Sequence, residues 1–403
     1  MDYRTVSFYH EFQCIGGICE DSCCENWEID LDDASLKLYM KQKGEFGKRL
    51  RENTRVKDKQ FILKKTRCPF LNDENLCDIY IEMGENCLCE TCTNFPRHIE
   101  EFDDLKEVSL TMSCPEASRI MLAKKEKLNF VCKEGCDEDY GLKPVAAKTS
   151  FPFLKKNQVN KLDKKLFDVL YETRLILFDI LQCRETDVLT RGAVALIFGD
   201  EIGRKIPEKD YNAIALANEN MKRKLKQKSL FSKSGLDDMF APYIGKREQK
   251  INFLKQVLNM YMGLETIKEE WSEILLRGIN LLSTGNDISE SMKEFNCYYK
   301  EREYEFEHIL VYYIFNYFLG ASYDGDGLTK IKFAVVSYLV ILLLDTACWL
   351  FKDKTFTYEE QVQIAHAYSK EVEHSYNNFE SLMLVMSAHP VLSVENILIG
   401  LLS

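Results

Sequence analysis

The sequence has almost no histidine where its cysteines are concentrated. Twelve of its fifteen cysteines precede residue 137, whereas His10 and His98 are the only histidines before position 308. A metal site in this part of the chain would therefore use sulfur ligands alone, which excludes the mixed cysteine–histidine sites of many zinc proteins. Two occupants remain, a tetrahedral zinc ion or an iron–sulfur cluster, each held by four thiolates.

The N-terminus lacks the features of an export signal. Its first residues, MDYRTVSFYHEFQC, have neither a basic start nor an apolar run. We therefore expect a cytoplasmic protein. In a reducing compartment, clustered cysteines are metal ligands or redox groups more often than they are disulfides.

The sequence also lacks an uninterrupted apolar run of the ~20 residues that a membrane-spanning helix needs. The longest candidate extends from Phe333 to Leu344 and is followed by Asp345. This pattern predicts a buried core helix and no membrane span. The net charge of −11 argues against general nucleic-acid binding, which requires a basic surface.

The remaining patterns predict a mainly α fold. A small, irregular, cysteine-rich domain (residues 1–140) is followed by an all-helical domain (residues 150–403), with a glycine- and proline-containing linker at 133–153. Helical spacing of apolar residues recurs after the linker, and no proline occurs between Pro242 and Pro390.

Local signals also place elements within the first domain. We expect a short strand within residues 3–12, a helix capped by Asp30 or Asp32, and a solvated polar segment at 44–60. A turn at 72–75 would bring Cys68 and Cys77 together.

A capping-box pattern of Ser113 and Glu116 predicts a helix start. Cys114 would then lie at the helix N-terminus, where the helix dipole and free N–H groups favour a thiolate.

The cysteine spacing is irregular and favours an iron–sulfur cluster over zinc, which stays open as the alternative. Cys89 and Cys92 form the one C-x2-C pair. Since neighbouring side chains diverge, Cys23 and Cys24 either serve different centres or one of them packs as a small apolar residue. The other cysteines have simpler interpretations. Free thiols are the alternative for Cys87, Cys89, Cys132 and Cys136. We expect core residues at Cys183, Cys297 and Cys348.

Four blocks of sequence, in this order, resemble the flagellin lysine N-methylases. They are CIGGICEDSCCENWEIDLD, CPFLNDENLCDI, ETCTNFPR and SLTMSCPEASRIML. The cysteines among them are also similar to the wider CxxxCC family of zinc- or iron-chelating proteins. The resemblance implies a cysteine-bound [4Fe–4S] cluster and methyl transfer from S-adenosylmethionine to lysines of flagellin. The matching metal-ligand candidates are Cys14, Cys19, Cys23, Cys24, Cys68, Cys77, Cys92 and Cys114.

Eight candidates exceed the four ligands of one cluster, so either two centres exist or some cysteines are structural. The sequence does not locate the S-adenosylmethionine site. It has no glycine-rich nucleotide-binding turn, and the C-x3-C-x2-C spacing of radical enzymes fails at Asn26. One hypothesis is that the cofactor binds an open iron of a cluster with three protein ligands.

The first polar residues to test for catalysis are Arg97, Glu373 and His374, each of which has a structural alternative. Arg97 would pair with a thiolate or carboxylate, and His374 would be an ordinary helix histidine. Two other functions stay open for the whole chain: a non-methylating iron–sulfur redox protein, and a zinc-stapled adaptor.

Overall fold

The computed structural model describes residues 1–143, 161–283 and 287–403, and the chain divides into two compact units. The mainly helical fold class is confirmed. Residues 144–153 of the expected linker lie outside the described residues, so the domain boundary stays a prediction. Unit 1 comprises Met1–Met121, Asn129–Ser150 and Ser369–Ser375, and unit 2 comprises Leu122–Leu128, Phe151–Tyr368 and Tyr376–Ser403.

Unit 1 contains a mixed β-sheet, which the expectation of an irregular domain missed. The strands of unit 1 are β1 (Asp2–Val6), β2 (Thr54–Arg55), β3 (Gln60–Phe61), β4 (Arg97–Phe102), β5 (Leu105–Leu110) and β6 (Phe130–Glu134). The sheet order is β4–β5–β1–β6, with β1 parallel to β5 and antiparallel to β6. Strands β2 and β3 pair separately. The predicted N-terminal strand is confirmed by β1.

The helices that lie wholly or mainly in unit 1 are short. They are α1 (Asp33–Lys41), α2 (Gly44–Glu52), α3 (Asp78–Met83), α4 (Glu90–Asn94) and α5 (Pro115–Leu122). The predicted cap of α1 is confirmed, because Asp32 Oδ1 accepts a 2.8 Å hydrogen bond from the Ser35 backbone N–H. The segment 44–60 is mostly exposed, as expected, although Leu50 and Thr54 within it are buried.

Unit 2 is built of helices along its described length. They are α6 (Lys164–Leu181), α7 (Val188–Gly203), α8 (Tyr211–Lys226), α9 (Lys233–Phe240), α10 (Arg247–Met262), α11 (Glu269–Ser283), α12 (Ile288–Tyr298), α13 (Tyr304–Tyr317), α14 (Ala321–Asp324), α15 (Gly327–Phe351), α16 (Tyr358–Glu373), α17 (Tyr376–Ala388) and α18 (Val394–Leu402). Aspartates cap several of them: Asp163, Asp187 and Asp210 accept backbone N–H bonds at the starts of α6, α7 and α8.

Helix α15 forms the core of unit 2. It is long and apolar enough to cross a membrane by composition, yet 94% of its most apolar window is buried within the structure. Packing against α7 is close, because a Cβ at Gly199 would lie 2.5 Å from Ile331 Cδ1. The prediction of a core helix in this region is confirmed.

Asp345 is a carboxyl group buried in the middle of α15. Among the described residues, neither of its oxygens has a hydrogen-bond partner, and the amide nitrogen of the nearby Gln361 has none either. Burial raises the pKa of the Asp345 carboxyl well above its usual value, and Gln361 offsets this only in part. The folded protein therefore holds this side chain in its neutral form over a wider pH range than the unfolded chain does.

We expect Asp345→Asn to stabilise the protein at neutral pH. The favourable contribution of the neutral carboxyl is complete below the unfolded pKa of ~3.9 and is lost as pH rises through the raised folded pKa. The gain from the variant should thus grow from near zero at about pH 4 to at most about 4 kcal/mol at about pH 7. Urea denaturation at the two pH values measures it, with the exposed Asp238→Asn as control. An equal difference at both pH values would contradict this account of Asp345.

Candidate functional site

Nine of the twelve cysteines of unit 1 fall into two groups. All are free thiols. We call Cys24, Cys68, Cys77, Cys89 and Cys92 the core thiol group, and Cys14, Cys19, Cys23 and Cys114 the outer thiol group. Among the residues that the structure describes, no three histidine, cysteine or carboxylate side chains are already arranged to hold a metal ion. Metal binding therefore stays a prediction, which depends on the chemistry and the surroundings of the two groups.

The core thiol group lies in the hydrophobic core of unit 1. Cys68 and Cys89 are buried there, and the other three sulfurs pack against the same cluster of apolar side chains. A 2.8 Å hydrogen bond from the Cys68 backbone N–H to the Cys24 carbonyl joins two of the segments. The predicted turn is present, with an Asn75-to-Asn72 backbone bond of 3.1 Å, and it places Cys77 beside Cys68.

Burial makes this group hard to ionise without compensation. It raises the pKa of the Cys68 thiol to about 12, and the neighbouring Cys24, Cys77 and Cys89 raise that pKa further. A hydrogen bond between the Cys89 and Cys92 thiols lowers the pKa of Cys89 and raises that of Cys92 well above its usual value. Several thiolates could exist here only beside positive charge, because charge burial is costly and like charges repel.

The outer thiol group is held by a tight loop and by the start of α5. Gly16 has φ of +59°, and a Cβ at Gly17 would lie only 2.6 Å from the Glu74 carbonyl oxygen. Both positions therefore favour glycine, as the predicted tight path through this segment requires. A 2.6 Å ion pair between Arg119 of α5 and Glu20 ties the helix to the loop.

Cys114 immediately precedes α5, so the helix begins one residue later than the Ser113 cap predicts. The Cys114 sulfur accepts hydrogen bonds from the backbone of Glu116 and Ala117. Burial nevertheless dominates and raises the pKa of Cys114 to about 12. The hydrogen bonds at the helix start favour a thiolate, as expected, but removal of the sulfur from water outweighs them.

An aromatic cluster adjoins the thiols within unit 1. The His374 ring lies 4.9 Å from the Trp27 ring and 5.3 Å from the Phe95 ring, and the latter two are 5.8 Å apart. The Trp27 indole N–H donates to the Cys23 carbonyl, and Phe95 directly follows α4, which carries Cys92. All three rings are partly exposed. Sequence reasoning singled out His374 and missed both partners, because nothing local links them.

A buried ion pair holds this part of unit 1. Lys370 lies on the last part of α16, which belongs to unit 1. It pairs with Asp21, and the two side chains are only 4% and 6% exposed. His374, four residues after Lys370, packs in the aromatic cluster. Glu373 accepts a hydrogen bond from the Ser369 hydroxyl. Two of the candidate catalytic residues therefore belong to the same unit as the thiols.

Arg97 has the contacts of a structural residue. Its Nε donates to the Tyr9 hydroxyl and to the Tyr140 carbonyl, both at 3.1 Å, and its Nη1 donates to the Thr93 carbonyl at 3.3 Å. These bonds join β4 to three other segments of unit 1. A catalytic role for Arg97 stays a prediction.

Six cysteines lie outside both thiol groups. Cys348 is buried, as predicted for a core residue, but Cys297 is exposed and Cys183 is only partly buried. Cys132 and Cys136 are exposed, in keeping with free thiols. Cys89 is the reverse case: the resemblance did not include it, yet it lies in the core thiol group. The C-x2-C spacing from Cys89 to Cys92 is the sequence signal that could have found it.

Together, the fold and these residues define a mainly helical protein with a thiol-rich N-terminal unit. A family model described as "FliB lysine N-methylase C-terminal domain" matches residues 174–400, more than half of the chain. The chain belongs to the FliB lysine N-methylase family, which confirms the resemblance found in the sequence.

Three curated relatives are similar to this chain. The flagellar biosynthetic protein FliU of Salmonella muenchen is 31% identical over 144 residues, covering 31% of this chain and 82% of the relative. The lysine-N-methylases of Salmonella typhimurium and Salmonella choleraesuis are each 31% identical over 130 residues, covering 28% of this chain and 31% of each relative. The chain thus matches under a third of the two methylases. No solved structure matches the chain.

We expect Lys370→Met to destabilise the protein by about 3–5 kcal/mol, because it leaves the Asp21 carboxylate buried without its ion-pair partner. The double variant Asp21→Asn/Lys370→Met should recover part of that loss. Thermal denaturation measures both. Lys228→Met is the matched control, since its 2.6 Å pair with Glu185 is 74% and 58% exposed and should contribute under about 1 kcal/mol. Equal effects of the two single variants would contradict the role given to the buried pair.

Proposed function

We propose that this protein is a cytoplasmic, S-adenosylmethionine-dependent protein-lysine N-methyltransferase that acts on surface lysines of flagellin and carries a cysteine-bound [4Fe–4S] cluster. Membership of the FliB lysine N-methylase family is the observation that carries the proposal. The names of the relatives, lysine-N-methylase and flagellar biosynthetic protein, support lysine as the target and flagellin as the partner.

The donor set of unit 1 fits an iron–sulfur cluster. Such clusters take four cysteine thiolates, and each thiol group offers at least that number. When bound, a cluster with three protein ligands supplies one iron open to the amino and carboxylate groups of S-adenosylmethionine. The outer thiol group suits this role for two reasons. Cys14 is exposed, so a cofactor could approach it. The Trp27 indole N–H donates a hydrogen bond to the Cys23 carbonyl, so the aromatic cluster lies beside this group.

Methyl transfer to lysine requires a neutral amine, since the nitrogen lone pair must attack the methyl carbon in line with the departing sulfur. The proton that the amine loses needs an acceptor nearby. His374 is our candidate, because histidine is the side chain that most often serves as a general base. Its partial exposure leaves the ring open to a substrate side chain.

The rings beside His374 have a chemistry of their own. Aromatic faces attract cations such as sulfonium and methylated ammonium groups, with about 0.5–2 kcal/mol per contact. Trp27 and Phe95 are therefore our candidates to orient the methyl donor or the methylated lysine next to His374. Glu373, the neighbouring candidate, accepts a hydrogen bond from the Ser369 hydroxyl.

Co-expression of the full chain with flagellin, followed by the intact mass of flagellin, tests the proposal. We expect a ladder of masses that differ by one methyl substitution each. Flagellin of unchanged mass would contradict the methyltransferase assignment for this partner. A protein that carries a reducible cluster but adds no methyl group would instead favour the redox alternative, and one that carries zinc and adds none would favour the adaptor.

We expect His374→Ala to lower the rate of flagellin methylation by about 10²–10⁴-fold, which is the range for loss of a general base. His10→Ala is the matched control, since His10 also contacts two aromatic rings in unit 1 but is exposed. Initial rates across pH 6–9 provide a second readout. If His374 only packs against Trp27 and Phe95, His374→Gln should restore the rate; a rate still depressed supports proton transfer.

A further inference from the structure

Two segments of unit 1, residues 11–36 and 68–96, contain many acidic residues and no basic ones. Together they carry fourteen aspartates and glutamates and no lysine, arginine or histidine. Since the whole chain has a net charge of −11, all other residues together carry a small positive charge. The negative charge of the protein is therefore concentrated in these two segments of unit 1.

Ion pairs within unit 1 neutralise part of this charge. The pairs are Asp21–Lys370, Glu20–Arg119, Glu25–Arg67, Asp33–Lys59 and Asp78–Arg49. Four other carboxylates are exposed and form no ion pair with any described residue: Asp73, Glu74, Glu82 and Glu85. We call these four residues the acidic rim. They lie on the 72–75 turn, on α3 and directly after it, so one short stretch of chain presents its negative charge to solvent.

Exposed apolar side chains lie on the same stretch. Leu76, Tyr80 and Ile81 are 39%, 50% and 55% exposed. Ile18, at 83%, is the most exposed large apolar side chain in the described part of the chain. A Cβ at Gly17 would lie 3.4 Å from Leu76 Cδ2, so Leu76 packs against the segment that leads into Ile18. We call Ile18, Leu76, Tyr80 and Ile81 the apolar patch.

The apolar patch has the organisation of an interaction surface. Leu76 and Ile81 occupy the N′ and N4 positions of α3, which are the two positions that contact each other in a hydrophobic staple. Single exposed apolar side chains are common on proteins, whereas a group with a polar border is typical of a surface that binds another molecule. Here the border is the acidic rim.

The apolar patch adjoins the outer thiol group. The turn Gly16–Ile18 lies between Cys14 and Cys19. A Cβ at Gly17 would lie only 2.6 Å from the Glu74 carbonyl oxygen, so this turn packs closely on the acidic 72–75 turn. A molecule held on the patch would therefore lie next to the loop to which the proposed function assigns the cluster.

A lysine side chain matches both parts of this surface. Its hydrocarbon stem packs on apolar groups, while its ammonium group favours the vicinity of carboxylates. The concentrated negative charge also speeds the approach of a positively charged segment and opposes that of nucleic acids and anionic membranes. The surface therefore suits a lysine-bearing segment of another protein.

We propose that the apolar patch and the acidic rim form the docking surface for a lysine-bearing surface segment of the protein substrate. The inference rests on the proposed function only in taking flagellin as that substrate. Carboxylates favour the charged form of an amine, so a lysine held at the rim stays protonated. It is a docking contact and not the lysine that receives the methyl group, because methyl transfer requires a neutral amine.

Binding of fluorescently labelled flagellin to the full chain, without S-adenosylmethionine, tests the proposal. We expect Ile81→Ser to weaken binding about tenfold, because it removes apolar contact at the patch. Val56→Ser is the matched control and should leave the Kd unchanged, since Val56 is 54% exposed in unit 1 but lies between Arg55 and Lys57. A wild-type chain that binds no flagellin, or an Ile81→Ser chain that binds it as tightly as the wild type, would overturn the proposal.

The role of charge is tested by a second, independent variant. Asp73→Asn/Glu74→Gln should weaken flagellin binding about 2–10-fold at low salt, and the difference should shrink at high salt. Flagellin with acetylated lysines should bind the wild type more weakly and should no longer distinguish it from this variant. Acetylated flagellin that binds the wild type as tightly as unmodified flagellin would overturn the assignment of lysine as the docked group.

Kinetics separate docking from chemistry. Ile81→Ser should raise the KM for flagellin about tenfold and leave kcat unchanged, since the patch does not touch the reacting atoms. A lower kcat at unchanged KM would contradict a docking role. Sedimentation of the wild type gives the remaining arm: a dimer that Ile81→Ser dissociates would show that a second copy covers the patch, which overturns the proposal.

Failure of this inference and failure of the proposed function give different results. Flagellin that binds through the patch but never gains mass would refute the proposed function and leave the docking surface standing. Flagellin that is methylated with a KM insensitive to Ile81→Ser would refute the docking surface and leave the proposed function standing.

Discussion

The exclusion of water from sulfur is the constraint on which unit 1 depends. Its core packs cysteine side chains between aromatic rings, so the sulfurs contribute apolar contact as long as they stay neutral. Hydrogen bonds from the backbone favour the opposite, charged state. The same side chains therefore serve as core residues and as prospective ligands, and the stability of the unit is coupled to whatever occupies them.

Unit 2 is stabilised by different means. A long apolar helix, α15, is surrounded by other helices, and aspartate side chains satisfy free N–H groups at several helix starts. One buried ion pair joins Arg191 and Glu307, which are both almost fully buried and lie 2.6 Å apart. The family match covers this unit from residue 174 onward. The helical unit thus carries the family match, while the metal and ring chemistry discussed above lies in unit 1.

Local sequence signals predicted local structure well. Asp32 as a helix cap, the 72–75 turn and the buried helix around Phe333–Leu344 each depend on neighbouring residues, and each is present. The fold class follows from such signals added together. The charged 44–60 segment is mostly exposed, as its composition predicts. Its polar pattern did not reveal α2 and β2, in which Leu50 and Thr54 are buried.

The missed features depend on residues far apart in the chain. Strand β1 pairs in parallel with β5, about a hundred residues later, and no local pattern specifies that register. The division of the cysteines into two groups, the place of Cys89 and the contact of His374 with Trp27 are likewise tertiary. For Cys114 the helix N-terminus was anticipated, but the degree of burial that outweighs it was not.

The dispersed make-up of unit 1 has a consequence for how the protein is made. Asp21 emerges from the ribosome early, whereas its partner Lys370 is translated almost 350 residues later. At ~5–20 residues per second, the N-terminal segment waits on the order of 20–70 seconds before the residues that complete its unit exist. During that interval the cysteine segments lack a residue that completes their unit, because the buried ion pair of Asp21 cannot form until Lys370 has been made.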